Sequence, residues 1–174
     1  VTSIKQPAPT ALRVAWDDPR AVALRDVMEV EMSALYADAQ GDASPEQRRR
    51  IDDALYVDPA LVHATVLIVE ADGTPIGHAA LKDLRGDWEM KRVIVDRSAR
   101  GRGVGALLMA ELERAAREGG ARRIILQTGD RQQDAVRLYQ RSGYTPIPVY
   151  EPYVLAIPFS LCFEKVLDPG AVSA

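Results

Sequence analysis

Val93-Ile-Val-Asp-Arg-Ser-Ala-Arg-Gly-Arg-Gly-Val-Gly-Ala106 decides the fold: an apolar, β-branched run breaks at Asp96, passes three alternating glycines and enters a helical pattern. Gly101, Gly103 and Gly105 let the backbone bend tightly and present successive N–H groups with no side chains in the way. The helix that follows opens with unpaired amides and the positive end of its dipole, and both attract anions. Arg97, Arg100 and Arg102 add positive charge around the turn, so the pattern suits a ligand carrying several phosphates. The plainer alternative is a glycine-rich connection from strand to helix with no ligand.

Upstream, residues 64–70 are apolar and β-branched, Asp72-Gly73 signals a hairpin turn, and a second strand runs from Pro75 to Leu81. Arg85-Gly-Asp87 makes another turn and Trp88 to Val95 a third strand, so an antiparallel meander leads into the loop. Downstream, Val104, Leu107, Leu108, Leu112, Ala115 and Ala116 form the apolar stripe of a helix closed by Gly119-Gly120. A strand from Arg122 to Thr128 and a helix from Gln132 to Ser142 complete a β-α-β-α order. Tyr153 to Ile157 and Phe159 to Val166 read as two further strands separated by Pro158.

Ahead of the meander, Leu12, Val14 and Trp16 alternate as a short strand. Asp17-Asp18-Pro19 then opens a helix with Leu24, Val27, Met28, Met32 and Leu35 on one side, through about Ala37. Residues 40–44 break it, and Ser44-Pro-Glu-Gln47 has the form of a capping box opening a short helix through Leu55. Residues 1–10 read as a flexible arm, 11–167 as one domain and 168–174 as a tail, with no internal repeat.

A chain of 174 residues, 47% hydrophobic and 27% charged, has the size and composition of one soluble globular domain. A formal charge of -3 gives no reason to expect nucleic acid as a partner, and no apolar run approaches the roughly 18 residues of a membrane span. The cytoplasm is the default location. The one cysteine, Cys162, excludes an internal disulfide or a cysteine-rich metal site and reads as a buried strand thiol. A nucleoside-triphosphate loop of the Gly-x4-Gly-Lys-Ser/Thr kind is absent, and the third glycine comes too early for a dinucleotide turn.

The opening stretch resembles the acetyl-CoA loop of Gcn5-related N-acetyltransferases (GNAT), whose signature is Gln/Arg-x-x-Gly-x-Gly/Ala; Arg100, Gly103 and Gly105 fill its fixed places. A second segment, Ala135-Val-Arg-Leu-Tyr-Gln-Arg-Ser-Gly-Tyr144, is similar to the family's Ala-x-x-Leu-Tyr-x-x-x-Gly-Phe/Tyr segment. The resemblance covers residues 11–166, and its specific part is 88–146. It implies an α/β (α+β) fold: one domain with a mixed, mostly antiparallel sheet of about six to seven strands, flanked by about four helices. The sheet would be splayed into a V between the fourth and fifth strands.

The same resemblance implies acetyl-CoA as acyl donor, with its pantetheine arm in the gap against the backbone of Val93, Ile94 and Val95. The amides of Gly101, Arg102, Gly103, Val104, Gly105 and Ala106 would hold the pyrophosphate, with Arg100 beside them. Gln132 stands seven residues before Tyr139, where the family usually has an Asn contacting the cofactor. No metal is implied.

Attack of an amine on a thioester needs a neutral nucleophile, a stabilised oxyanion and a proton for the departing thiolate. The resemblance puts Tyr139 near the CoA sulfur as the acid, a phenol whose unperturbed pKa is about 10; packing beside Leu138 is its other reading. A backbone N–H of the fourth strand near Val95 would meet the oxyanion. Some family members carry a basic Glu on the strand after the loop helix, but the matching residue here is Gln127, which takes no proton. Glu89 resembles an acidic position that other members use on the fourth strand, and it is the candidate base, acting directly or through water. An exposed carboxylate at a strand end is the equal alternative.

His63 reads as the end of a surface loop, His78 as a satisfied polar contact, and Trp88 and Tyr153 as packing residues that could border an acceptor. Glu29, Glu31 and Asp38 would attract a cationic amine or simply form a solvated helix face. The expected activity is transfer of an acetyl or short acyl group from acetyl-CoA to a primary amine of a small molecule or peptide by direct attack. A noncatalytic CoA-sensing module is the alternative. A homodimer across a sheet edge is compatible with the proline-rich approach to the last strands.

Overall fold

Seven strands, β1 (Thr10–Val14), β2 (Val62–Val69), β3 (Pro75–Leu84), β4 (Asp87–Val95), β5 (Arg123–Thr128), β6 (Thr145–Ile147) and β7 (Leu161–Val166), share one sheet in a computed structural model describing residues 8–167. Their order is β1-β2-β3-β4-β5-β7-β6, and every neighbouring pair is antiparallel except β4 and β5. Six helices accompany them rather than about four: α1 (Pro19–Leu35), α2 (Ala37–Asp42), α3 (Pro45–Leu55), α4 (Val104–Glu118), α5 (Gln133–Arg141) and α6 (Tyr153–Ala156). No helix among the described residues is long and apolar enough to cross a membrane.

Period-two alternation divides the strands between two faces. Val66 and Ile68 of β2 join Ala79 and Leu81 of β3 under Val104, Leu108 and Leu112 of α4, whereas Leu67 and Val69 meet Ala21 and Leu24 of α1. A smaller cluster of Ala54, Tyr153 and Ala156 ties α3 to α6. Asp18 caps α1 by accepting from the Arg20 amide at 2.9 Å, and Ser44 caps α3 by accepting from Gln47 at 3.1 Å, as their sequence signals require.

The sheet opens where β4 meets β5. Only Trp88, Glu89 and Met90 pair with Ile124, Ile125 and Leu126; beyond them Lys91 to Val95 and Gln127-Thr128 run on without pairing to one another. This is the V expected between the fourth and fifth strands, and its β4 edge carries backbone groups with no partner strand.

Several local readings change. Tyr153 to Ile157 is no strand but helix α6, because its buried residues Tyr153 and Ala156 lie three apart while Leu155 between them is exposed. The last strand starts at Leu161 rather than Phe159, a residue that stands in solvent. Residues 37–42, part of which read as a break, form α2, and the short β6 with Pro146 escaped notice on the sheet edge where a proline is tolerated. The apolar side of α1 is covered only in its first half; Val27 and Leu35 are exposed. Thr10 already belongs to β1, and the rest of the expected arm up to residue 7, with the tail 168–174, lies outside the described residues.

Candidate active site

The loop between β4 and α4 assigns different tasks to its three glycines. Gly101 and Gly103 have φ of 76° and 81°, the left-handed region that side chains disfavour, and open space lies where a Cβ would sit. Gly105 has a different role: a Cβ there would come within 2.9 Å of Leu138, so it lets α5 close against the start of α4. Gly103 is the N-cap of α4 and offers no side chain to the first turn, which leaves the amides of Val104, Gly105 and Ala106 without a capping group. Such a cradle fits phosphate oxygens.

The loop arginines are not free. Arg97 Nε lies 3.1 Å and Arg100 Nη2 2.7 Å from the two carboxylate oxygens of Glu31 on α1, and Arg102 pairs with Glu70 at 2.7 Å. Arg100 Nε also donates to the Val95 carbonyl at 3.0 Å, pinning the end of β4 to its own loop. Likewise Asp38 pairs with Arg131 at 2.6 Å and Glu29 lies 3.8 Å from Arg92. The three acids considered as attractors of a cationic amine therefore each face an arginine.

The two candidate catalytic side chains occupy opposite faces of the sheet. Tyr139 is 5% exposed within the α4-side core, near Tyr144 and Phe163, and burial alone pushes its phenol well above the usual tyrosine range. Glu89 faces the other way under α6. It is fully buried, which removes the reading as an exposed carboxylate at a strand end.

Glu89 Oε1 accepts from Tyr153 at 2.6 Å and from Tyr150 at 3.0 Å, while Oε2 has no hydrogen-bond partner. Lys82 Nζ lies 3.5 Å from Oε2, and Lys91 Nζ lies 3.9 Å from Oε1 and donates to the Tyr153 hydroxyl at 2.6 Å. Burial lowers the Lys91 pKa to about 8 although the Glu89 charge opposes the shift. Burial, with Glu89 second, pushes both tyrosines upward, so both remain phenols able to donate.

Tyr150, half-buried, is the member of this group that reaches toward solvent. Tyr150, Lys82 and Lys91 went unrecognised in the sequence. The alternation of Glu89 and Lys91 on β4 was the available signal, since period two puts them on one face.

Gln132 precedes α5 and its amide turns to the Tyr36 hydroxyl beside Gly129. Gln127, at the position that lacks the family's acid, donates to Ser160 at 2.9 Å. Trp88 stacks on His63 at a centroid distance of 4.0 Å and presses against Gly119 at the far end of α4. The hollow there, about 360 Å³, is lined by Trp88 and His63 but by none of the candidate catalytic or cofactor-binding residues, and His63 belongs to β2 rather than a loop. Cys162 is a buried strand thiol as expected. Among the described residues no group of three His, Cys, Asp or Glu side chains could hold a metal.

Comparison with known proteins adds four findings. Residues 24–144 match the family model for the acetyltransferase (GNAT) family. The IAA acetyltransferase of Azospirillum brasilense is 34% identical over 103 residues, which are 58% of this chain and 67% of that protein. A Klebsiella pneumoniae structure described as an acyl-CoA N-acyltransferase superposes with a TM-score of 0.73 at 29% identity, covering 92% of this chain and 98% of the other. A Bacillus anthracis structure described as a streptothricin acetyltransferase, solved with acetyl coenzyme A, shares the fold at 19% identity and a TM-score of 0.54, covering 68% of each chain.

Proposed function

This chain belongs to the acetyltransferase (GNAT) family, and from that premise we propose that it transfers an acetyl or short acyl group from acetyl-CoA to a primary amine by direct attack. The observation that carries the reading is the parting of β4 from β5 after Met90 and Leu126, on the strand that leads directly into the uncapped amides of Gly103 to Ala106. One end of such a site suits a pyrophosphate, and the other exposes a strand edge to an extended arm.

Bound acetyl-CoA would supply a thioester whose acyl carbon bonds to the amine nitrogen as the carbon–sulfur bond breaks. The backbone of Val93, Ile94 and Val95 lines the arm, and an N–H of the unpaired β4 edge meets the developing oxyanion. Glu89 takes the proton lost by the amine, with Tyr150 passing its own hydroxyl proton to the carboxylate as it accepts the new one. Tyr139, neutral because its phenol is pushed upward, donates to the sulfur on the opposite face. Gly101, Arg102, Gly103, Val104, Gly105 and Ala106 hold the pyrophosphate by their amides, and Arg100 releases Glu31 to join them. Gln132 keeps the role of an amide near the cofactor, reached by leaving Tyr36.

Two observations favour the second reading, a noncatalytic CoA-binding module: Glu89 is fully buried and Gln127 is held by Ser160. A screen of primary amines with acetyl-CoA and free-thiol detection separates the two. Amine-dependent thiol release supports the enzyme, whereas saturable acetyl-CoA binding without release over the whole panel supports the module.

A further inference from the structure

Strand β4 changes phase in its middle. Trp88 and Met90 pack toward α4 while Glu89 and Lys91 face Tyr153; past Arg92 it is Val93 and Val95 that pack toward α4, and Ile94 that faces α1. The register with β3 shows why: His78 pairs with Ile94 and Ala80 with Lys91, so Ala79 alone opposes both Arg92 and Val93. This is a β-bulge of one residue, and Arg92 carries it with φ of 57°, a conformation that bulky side chains rarely adopt and that surroundings must enforce. The bulge begins two residues after the last β4–β5 pair, Met90 with Leu126, at the mouth of the gap.

The His78 side chain, on β3, meets the bulge. Its ring is fully buried, Nδ1 lies 2.7 Å from the Arg92 carbonyl oxygen and Nε2 lies 3.2 Å from Arg25 Nη1. A guanidinium can only donate, so Nε2 must accept and the proton must sit on Nδ1, aimed at the Arg92 carbonyl. Arg25 is itself fixed, donating to the Trp16 carbonyl at 2.7 Å with its guanidinium carbon 3.7 Å from the centre of the Trp16 ring. On the far side Arg92 Nη2 donates to the Leu55 carbonyl at 3.1 Å.

We propose that His78 is a positioning residue for acyl transfer: its Nδ1–H holds the Arg92 carbonyl and so fixes the bulge that delivers the Val93–Val95 backbone to the gap between β4 and β5. The inference rests on the acyl-transfer reading for its kinetic part, while its structural part stands alone. Losing the bond lets β4 slip by one residue, which would exchange the faces of Val93, Ile94 and Val95.

The test compares wild type with His78→Leu, which removes the donor, and His78→Asn, whose side-chain nitrogen occupies the place of Nδ1. Amide hydrogen exchange at residues 93–95 should speed up about tenfold or more in His78→Leu, with the β2 amides of Leu67 and Ile68 unchanged, and His78→Asn should restore protection. Thiol release from acetyl-CoA with an amine accepted by the wild type should fall about ten- to hundredfold in kcat, a larger change than in acetyl-CoA affinity because the pyrophosphate loop is untouched, with recovery of both in His78→Asn. Arg25→Met, which removes the donor to Nε2, gives an intermediate effect and serves as the reading if His78→Leu does not fold. Wild-type exchange at 93–95 in the donor-less variants, or equal kcat, overturns the latch. Absence of thiol release by the wild type overturns the acyl-transfer reading instead and leaves the exchange result to decide the latch.

Discussion

Glu31, on α1, sets its Oε2 2.7 Å from Nη2 of Arg100 in the loop after β4, while its other oxygen holds Arg97. A carboxylate thus occupies the guanidinium groups that cofactor phosphates would need. Exposed ion pairs are worth about 0.2–1 kcal/mol each, so Glu31→Gln should tighten acetyl-CoA binding by roughly three- to tenfold and steepen its dependence on salt. Titration calorimetry at two ionic strengths reads both. Weaker binding would mean that Glu31 orients the arginines rather than competing for them.

Gly103 and Gly105 should fail in different ways. Gly103→Val forces a branched residue to φ of 81° at the anion cradle, and acetyl-CoA binding should drop by about thirtyfold or more while the fold is weakened by roughly 1–3 kcal/mol. Gly105→Ala brings a Cβ within 2.9 Å of Leu138 and should cost about 1–3 kcal/mol of stability by overpacking. Denaturation curves beside binding isotherms separate the two. Equal affinity in Gly103→Val would remove the cradle from the cofactor site.

Tyr139→Phe keeps the ring in its cluster with Tyr144 and Phe163 and removes only the hydroxyl. Turnover should fall about a hundredfold, the lower range for a general acid, with acetyl-CoA affinity within twofold or so of wild type. An unchanged rate would leave Tyr139 as a packing residue.

Lys91 makes stability depend on alkaline pH. Its pKa is about 8 in the fold against 10.5 unperturbed, so between those values the unfolded chain binds more protons and stability rises with pH. Below pH 8 the full cost of burying the charge is present. Relative to Lys91→Met, the wild type should gain on the order of 3 kcal/mol between pH 8 and 10.5. Urea denaturation at a series of pH values gives the difference, and a flat one would mean that Lys91 keeps its charge through the window.

Much of this was legible because local signals and tertiary demands agreed. The alternation of Trp88 to Val95, the glycines at 101 and 103 and the stripe from Val104 to Ala116 all lie where propensity, turn chemistry and packing coincide. Tyr153 to Ile157 misled because a short apolar run has no period long enough to separate strand from helix, and α6 is held by its contact with Ala54 rather than by propensity. The arginine cluster read as free positive charge because partners such as Glu31 and Glu70 lie far away in the chain. The exposed reading of Glu89 stands level with the catalytic one in the sequence for the same reason: Tyr150 and Tyr153, which cover it, come from a segment more than 60 residues later. The bulge at Arg92 leaves no mark in composition, since one added residue in a strand of mixed polarity alters the pattern too little to see.

The most direct measurement is acetyl-CoA thiol release across a panel of primary amines, run in parallel for the wild type and Gly103→Val. Release that requires one of the amines, saturates with acetyl-CoA and disappears in Gly103→Val is the result expected of acyl transfer in the gap between β4 and β5. Saturable acetyl-CoA binding with no amine-dependent release from any member of the panel would contradict it.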